Sequence, residues 1–222
     1  MLNFILDLLF PPVCLVCRKR ISQPNSPEKI SQNFFSFLCP SCSQKIRINT
    51  GLDKQTGLAA AVSYNEEIPR QLIALLKYKK IKTAAIPLGE ILIQYLIENC
   101  KLKIENYYIV PVPLHRSREK QRGFNQSYLI AQQLSKNIGW PILKNVLIRI
   151  KNTPSQVELQ EKKKRKLNVR GCFAVAKPEL LAGKNILVLD DVATTGATIT
   201  EAMKVVRKAG APKVIGLVVA KT

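Results

Sequence analysis

The run Ile186-Leu187-Val188-Leu189-Asp190-Asp191-Val192-Ala193-Thr194-Thr195-Gly196-Ala197-Thr198 constrains the fold of this chain more than any other stretch. Its four consecutive apolar residues read as a strand buried on both faces, the pattern of a parallel sheet. The paired carboxylates come where that strand is expected to leave the sheet. Thr194 to Thr198 then bring hydroxyls and a permissive glycine to the mouth of a helical pattern formed by Ile199, Ala202, Met203, Val206 and Ala209 and closed by Gly210. Strand, tight loop and helix N-terminus make a phosphate cradle, because the first N–H groups of a helix lack intrahelical acceptors and its dipole favours negative charge. Asp190 and Asp191 stand beside that cradle, where they could hold sugar hydroxyls or a hydrated divalent cation. Phosphate and sugar together suggest a phosphorylated ribose; the plainer reading is an α/β strand end with a solvated acidic turn. The chain has only four aspartates, Asp7, Asp53, Asp190 and Asp191, so abundance does not explain an adjacent pair here.

These thirteen positions closely resemble the fingerprint of the type I phosphoribosyltransferases, which bind 5-phosphoribosyl-1-pyrophosphate (PRPP). The resemblance implies an α/β fold with a parallel sheet flanked by helices. It also implies that Asp190, Asp191, Val192, Ala193, Thr194, Thr195, Gly196, Ala197 and Thr198 line the PRPP site. Thr194 to Thr198 would take the 5-phosphate. Asp190 and Asp191, the expected catalytic pair, would take the ribose hydroxyls directly or through Mg²⁺.

A length of 222 residues accommodates one α/β domain and a small appendage. The expected division is residues 1–50, an apolar helix and cysteine module, and residues 51–222, the transferase-like domain. No apolar run is long enough to span a membrane. Met1 to Phe10 lacks the basic start and small-residue cleavage site of a signal peptide, so a cytoplasmic protein is expected, with Leu2, Ile5, Leu8 and Leu9 of a short helix packing on the core. The formal charge is +20, and residues 111–171 carry fourteen Lys or Arg against three Glu, a net of +11. Such clustering favours a polyanionic partner, whether pyrophosphate, nucleic acid or both, over an evenly solvated basic surface.

Cys14-Leu15-Val16-Cys17 and Cys39-Pro40-Ser41-Cys42 are two CxxC pairs with twenty-one residues between them. Two such knuckles complete a closed tetrahedral Zn²⁺ site, which is structural because no position is left for substrate. Disulfides are the competing reading, and a reducing compartment disfavours them. Cys100 and Cys172 fall outside any ligand spacing and are expected as buried thiols. His115 is the only histidine, which excludes histidine-rich metal centres and most triad chemistry.

The remaining elements expected are a strand over Leu58–Tyr64, helices over Pro69–Tyr78 and Ile86–Asn99, and a strand over Tyr107–Val112 ended by Pro111 and Pro113. A basic loop from Leu114 to Gln126 then opens into a helix running to Ile138. In that loop Arg116, Arg118, Lys120 and Arg122 alternate with other residues before Gly123, an arrangement that could surround a pyrophosphate; a solvated linker is the alternative. The polar stretch from Thr153 to Cys172 contains Lys162, Lys163, Lys164, Arg165 and Lys166. It reads as a functional loop, such as a mobile lid or a nucleic-acid contact, or as a disordered segment; a short helix that folds on ligand binding is a further reading. Rings are scarce across the basic mid-chain: Phe124, Tyr128 and Trp140 are the only ones between Pro111 and Gly171.

Taken in order, Phe10-Pro11-Pro12, the CxxC pairs, Pro111-Val112-Pro113, Arg122-Gly123-Phe124-Asn125-Gln126, Thr153 to Gln156, Asn168 to Phe173 and the aspartate loop resemble the ComF family of competence proteins. That resemblance implies a parallel sheet of about five strands behind a zinc module, and a role in natural transformation handling incoming single-stranded DNA on the cytoplasmic side. DNA-processing proteins of the competence machinery are implied as further partners. By the same resemblance the basic loop with Arg116, Arg118, Arg122 and Gly123 is the pyrophosphate loop, and Thr153 to Arg170 the flexible loop that closes over PRPP. The chain departs from the family in carrying Lys79-Lys80 after Lys77-Tyr78, which weakens the case for ligand contact by that pair. Three uses are open: a phosphoribosyltransferase, including one of nucleotide metabolism or salvage; a nucleic-acid-binding module; and a PRPP-sensing regulator.

Overall fold

The computed structural model describes residues 12–21, 35–99, 107–151 and 169–222. A short helix α1 (Pro40–Ser43) precedes strand β1 (Leu58–Ser63), helices α2 (Glu67–Lys77) and α3 (Ala85–Asn99), and strand β2 (Tyr107–Pro111). Helices α4 (Arg116–Arg122) and α5 (Gln126–Ile138) lead to strands β3 (Leu147–Arg149), β4 (Phe173–Val175) and β5 (Asn185–Ala193). Helix α6 (Ala197–Lys208) and strand β6 (Lys213–Lys221) complete the order. The expected N-terminal helix, Cys100 and Lys162 to Lys166 lie outside the described residues.

β1, β6, β5 and β2 pair in that order, all parallel, and β3 pairs antiparallel with β4 in a separate two-stranded sheet. Parallel neighbours need crossover connections, and helices supply them on both faces. Leu187 and Leu189 pack with Leu72, Leu88 and Ile130 of α2, α3 and α5. Ile186 and Val188 pack with Ile199, Met203 and Val206 of α6 and with Phe173 of β4. Alternate side chains of one strand thus serve two cores, which is why its sequence is apolar without a gap.

Among the described residues the sheet has four strands, against about five expected. The position beyond β2 is reduced to one bridge, Ile109 with Ile142, in which the Ile109 N–H donates to Pro141 O at 2.8 Å and the Leu143 N–H to Ile109 O at 2.9 Å. Pro141 has no N–H and a fixed φ, so no ladder extends through it. The strand reading that ended with the helix at Gly210 omitted β6, whose apolar run Val214–Ala220 occupies the centre of the sheet between β1 and β5.

The cysteine knuckles dock on the same core. The Leu15 N–H donates to Phe37 O at 3.0 Å and joins them. The Ser36 N–H donates to the Glu90 carboxylate of α3 at 2.6 Å, and the Asn99 amide donates to Asn49 O at 2.9 Å.

Candidate functional site

β5 outlasts its neighbour on one side. Its last pair with β2 is Leu189 with Pro111, after which the Val112 N–H donates to Leu189 O at 2.8 Å. On the other side β6 continues to pair with Asp190, Val192 and Ala193. The two aspartates therefore lie within the strand rather than after it, as expected from sequence, because β6 holds the backbone extended through Ala193. The flank that β2 vacates is taken by the start of α5. Asn125 caps that helix by accepting the Ser127 N–H at 3.0 Å, and its amide donates to Val112 O at 3.0 Å. This fixes the Ser127 hydroxyl, which donates to Asp190 Oδ1 at 2.7 Å; the Asp191 N–H donates to the same oxygen at 2.9 Å.

Asp191 is 7% exposed. It pairs with Lys77, the last residue of α2, at 2.8 Å. Lys77 was set aside by the sequence reading, yet it carries a signal: it lies four residues beyond buried Ile73, on the stripe that α2 turns towards the sheet. Enclosure works against its ammonium, but the charges of Asp191 and Asp190 outweigh this and hold its pKa above the ordinary lysine value, Arg122 opposing them. Enclosure, followed by the adjacent Asp191 charge, pushes the Asp190 carboxyl up to about 7 against the pull of Ser127 and Lys77. One acid of the pair is thus salt-bridged, and the other stands near half-protonation at neutral pH.

Gly196 is the N-cap of α6 at φ 74° and has no side chain with which to cap it. A residue with a Cβ would be strained at that φ and would meet Leu58 at 3.3 Å, so the turn that delivers Thr194–Thr198 to the strand end requires glycine. Thr195 Oγ1 accepts the Ala197 N–H at 3.4 Å. The expected strand, loop and helix mouth are all present, with Val192 and Ala193 in β5 and Ala197 opening α6.

The segment read as a basic loop is a helix, α4. The His115 imidazole accepts the Ser117 N–H at 3.3 Å as N-cap, and Gly123 closes the helix in the left-handed conformation. At 100° per residue, cations two apart do not share a face, so the four alternating charges sort into the i,i+4 pairs Arg116/Lys120 and Arg118/Arg122. The first pair is exposed and the second half-buried. Arg122 donates to Gln126 Oε1 at 3.0 Å. Arg149 of β3, absent from the sequence expectation, joins this group. Burial, then Arg118, lowers its pKa while Asp190 opposes, and its guanidinium lies over the Phe173 ring at 5.5 Å.

Residues 81–221 match the phosphoribosyl transferase domain. The chain belongs to that family. It is a ComF-like member of it, as the order of its motifs implies. Competence protein F of Haemophilus influenzae is 40% identical over 48% of this chain and 46% of its own length. Competence protein ComFC of Bacillus subtilis is 38% identical over 43% of this chain and 36% of its own. DNA utilization protein YhgH of Salmonella typhimurium is 27% identical over 93% of this chain and 96% of its own. The chain thus spans about half the length or less of the first two and nearly all of the third.

In this phosphoribosyl transferase domain the acid pair occupies the carboxyl ends of parallel strands, the place where open α/β sheets take ligands. The four N-terminal cysteines form a separate group whose Sγ atoms all lie within 4.8 Å of one another, Cys17 and Cys39 at 3.5 Å. Zinc–sulfur bonds of about 2.3 Å in a tetrahedron place sulfurs roughly 3.8 Å apart, so the cluster fits such an ion. Burial raises the Cys14 pKa, but backbone N–H groups of Cys17, Cys39 and Val16 outweigh it and bring the thiol down to about 7. Burial raises the thiols of Cys39 and Cys42. No described helix is long and apolar enough to cross a membrane.

Proposed function

We propose that this chain binds PRPP at the end of β5 and acts in DNA uptake, handling incoming single-stranded DNA on the cytoplasmic side of the membrane. The observation that carries the first part is the juxtaposition of Asp190 and Asp191 with the Gly196-turned N-terminus of α6. The names of the relatives support the second. Thr194 to Thr198 would receive the 5-phosphate and the two aspartates the ribose hydroxyls. Arg118, Arg122 and Arg149 form the cationic side of the site, suited to the pyrophosphate.

Departure of pyrophosphate would leave positive charge on the ribose, which the carboxylates are placed to stabilise. Asp190 and Asp191 fit a hydrated divalent ion by donor type, and Mg²⁺ bound with PRPP would neutralise the leaving group. Zn²⁺ is the structural ion proposed for Cys14, Cys17, Cys39 and Cys42, in a module of residues 1–50 ahead of the domain at 51–222. DNA-processing proteins of the competence machinery are its further proposed partners. Replacing the chromosomal gene by an Asp190→Asn/Asp191→Asn copy tests the combined reading. Transformation is expected to fall to the level of the deletion while DNA import persists; normal transformation by the variant would contradict it.

A further inference from the structure

The rings of the basic mid-chain are poor stacking surfaces. Phe124 and Trp140 are buried, and Tyr128 lies beneath Lys144, whose ammonium is 4.7 Å from the ring centroid. Tyr78, outside that window, is 65% exposed, the highest value among the described large apolar and aromatic side chains.

The chain around Tyr78 is fixed from both sides. Lys77 just before it is paired with Asp191, and the Tyr78 N–H donates to Ala74 O at 2.9 Å. Lys80 adopts a left-handed φ of 56°, disfavoured for a residue with a side chain. Its ammonium donates to Gln121 O of α4 at 2.9 Å, and the Ile81 N–H donates to Leu75 O at 3.1 Å. This corner therefore ties the acid pair of β5 to the basic helix and carries an exposed aromatic ring. Residues 78–84 and 116–122 together carry seven Lys or Arg and one acid, Glu119.

We propose that Tyr78 is a stacking platform for a base of single-stranded nucleic acid whose phosphates run over the cations of the Lys79–Lys82 corner and α4. Every base offers a π-face, so such a ring binds without sequence preference, while the surrounding cations track the backbone. A tyrosine has only two side-chain torsions to fix, so it loses little freedom on binding. The inference rests on the proposed DNA partner.

Fluorescence anisotropy with a dye-labelled oligothymidine, measured across a salt series, tests it. Tyr78→Ala is expected to weaken binding about tenfold, a stacking loss, with the slope of log affinity against log salt unchanged. Tyr78→Phe should retain wild-type affinity, and Lys79→Ala should reduce the salt slope by about 0.7. Tyr78→Trp should show indole quenching on addition of the oligomer. Equal affinity of Tyr78→Ala and wild type, or an unquenched indole, overturns the platform and leaves the DNA reading standing. No binding by the wild type at low salt overturns both.

Discussion

The two ends of the parallel sheet differ in what they contain. At the amino ends of the strands lies a cavity of about 310 Å³ lined by Leu52, Ala59, Tyr95, Leu187, Ile215 and Leu217 among others. Its polar groups satisfy one another: the Asn99 side chain accepts the Gly51 N–H at 2.9 Å, and the Tyr95 hydroxyl donates to Gly51 O. The carboxyl ends hold Asp190, Asp191, Lys77, Ser127 and a half-buried arginine pair. Here enclosure shifts the titration of Asp190 and Arg149, and the aspartate charges overcome enclosure to shift that of Lys77. Shifted titration and convergent charge, rather than void size, are the grounds for proposing the carboxyl end as the ligand end. The amino end should govern stability without binding, and the carboxyl end binding at some expense of stability.

The cysteine module docks alongside α3 and gives the largest effect. Stripping its metal with a chelator, or replacing Cys39 and Cys42 by Ser, is expected to unfold the module, since structural zinc contributes about 10–16 kcal/mol in small zinc domains. Calorimetric melting with and without chelator reads this, and an unchanged transition would remove the metal from the account. Next, Lys77→Met leaves Asp191 enclosed without its partner and should cost about 3–5 kcal/mol, most of it restored by adding Asp191→Asn. Urea denaturation of the two single variants and the double variant measures this; simple additivity would mean the pair is not coupled.

Gly216→Ala brings the comparison to its sharpest point. A Cβ there would meet the Met203 sulfur at 2.7 Å and Leu58 at 3.1 Å, so overpacking should cost about 1–3 kcal/mol while PRPP affinity stays at the wild-type value. Lost affinity with an intact fold would break the separation of the two ends. A further effect is in pH. Asp190 titrates at about 7 when folded, above the ordinary carboxyl value. Between about pH 4 and 7 the folded state therefore holds a proton that the unfolded chain has released, so stability falls as pH rises through that window and levels off above it. Asp190→Asn should flatten this segment and raise stability at pH 8, at the cost of binding. Parallel wild-type and variant profiles would show that Asp190 is not the group responsible.

The strand, turn and helix of residues 186–210 were legible because every level of the sequence agreed: an uninterrupted apolar strand, acids towards its end, glycine at the left-handed turn and an amphipathic helix behind it. Residues that reach the site from elsewhere were harder to see. Ser127 and Arg149 are brought in by α5 and β3, and no local pattern in either segment announces the acid pair. α4 was missed because its cations, read as alternating, concealed the cap at His115, an atypical N-cap residue. The fifth strand was expected from the family and is curtailed by Pro141. β5 was expected to leave the sheet at Asp190 and Asp191 and instead runs on to Ala193, because strand ends depend on pairing and β6 pairs with it there.

The central claim is that the end of β5 binds PRPP through its aspartates. Isothermal titration of PRPP with Mg²⁺ into the wild-type protein and into Asp190→Ala/Asp191→Ala tests it most directly. Saturable binding by the wild type, weakened at least about a hundredfold in the variant, is the result predicted. No heat with the wild type, or equal binding by both proteins, would contradict it.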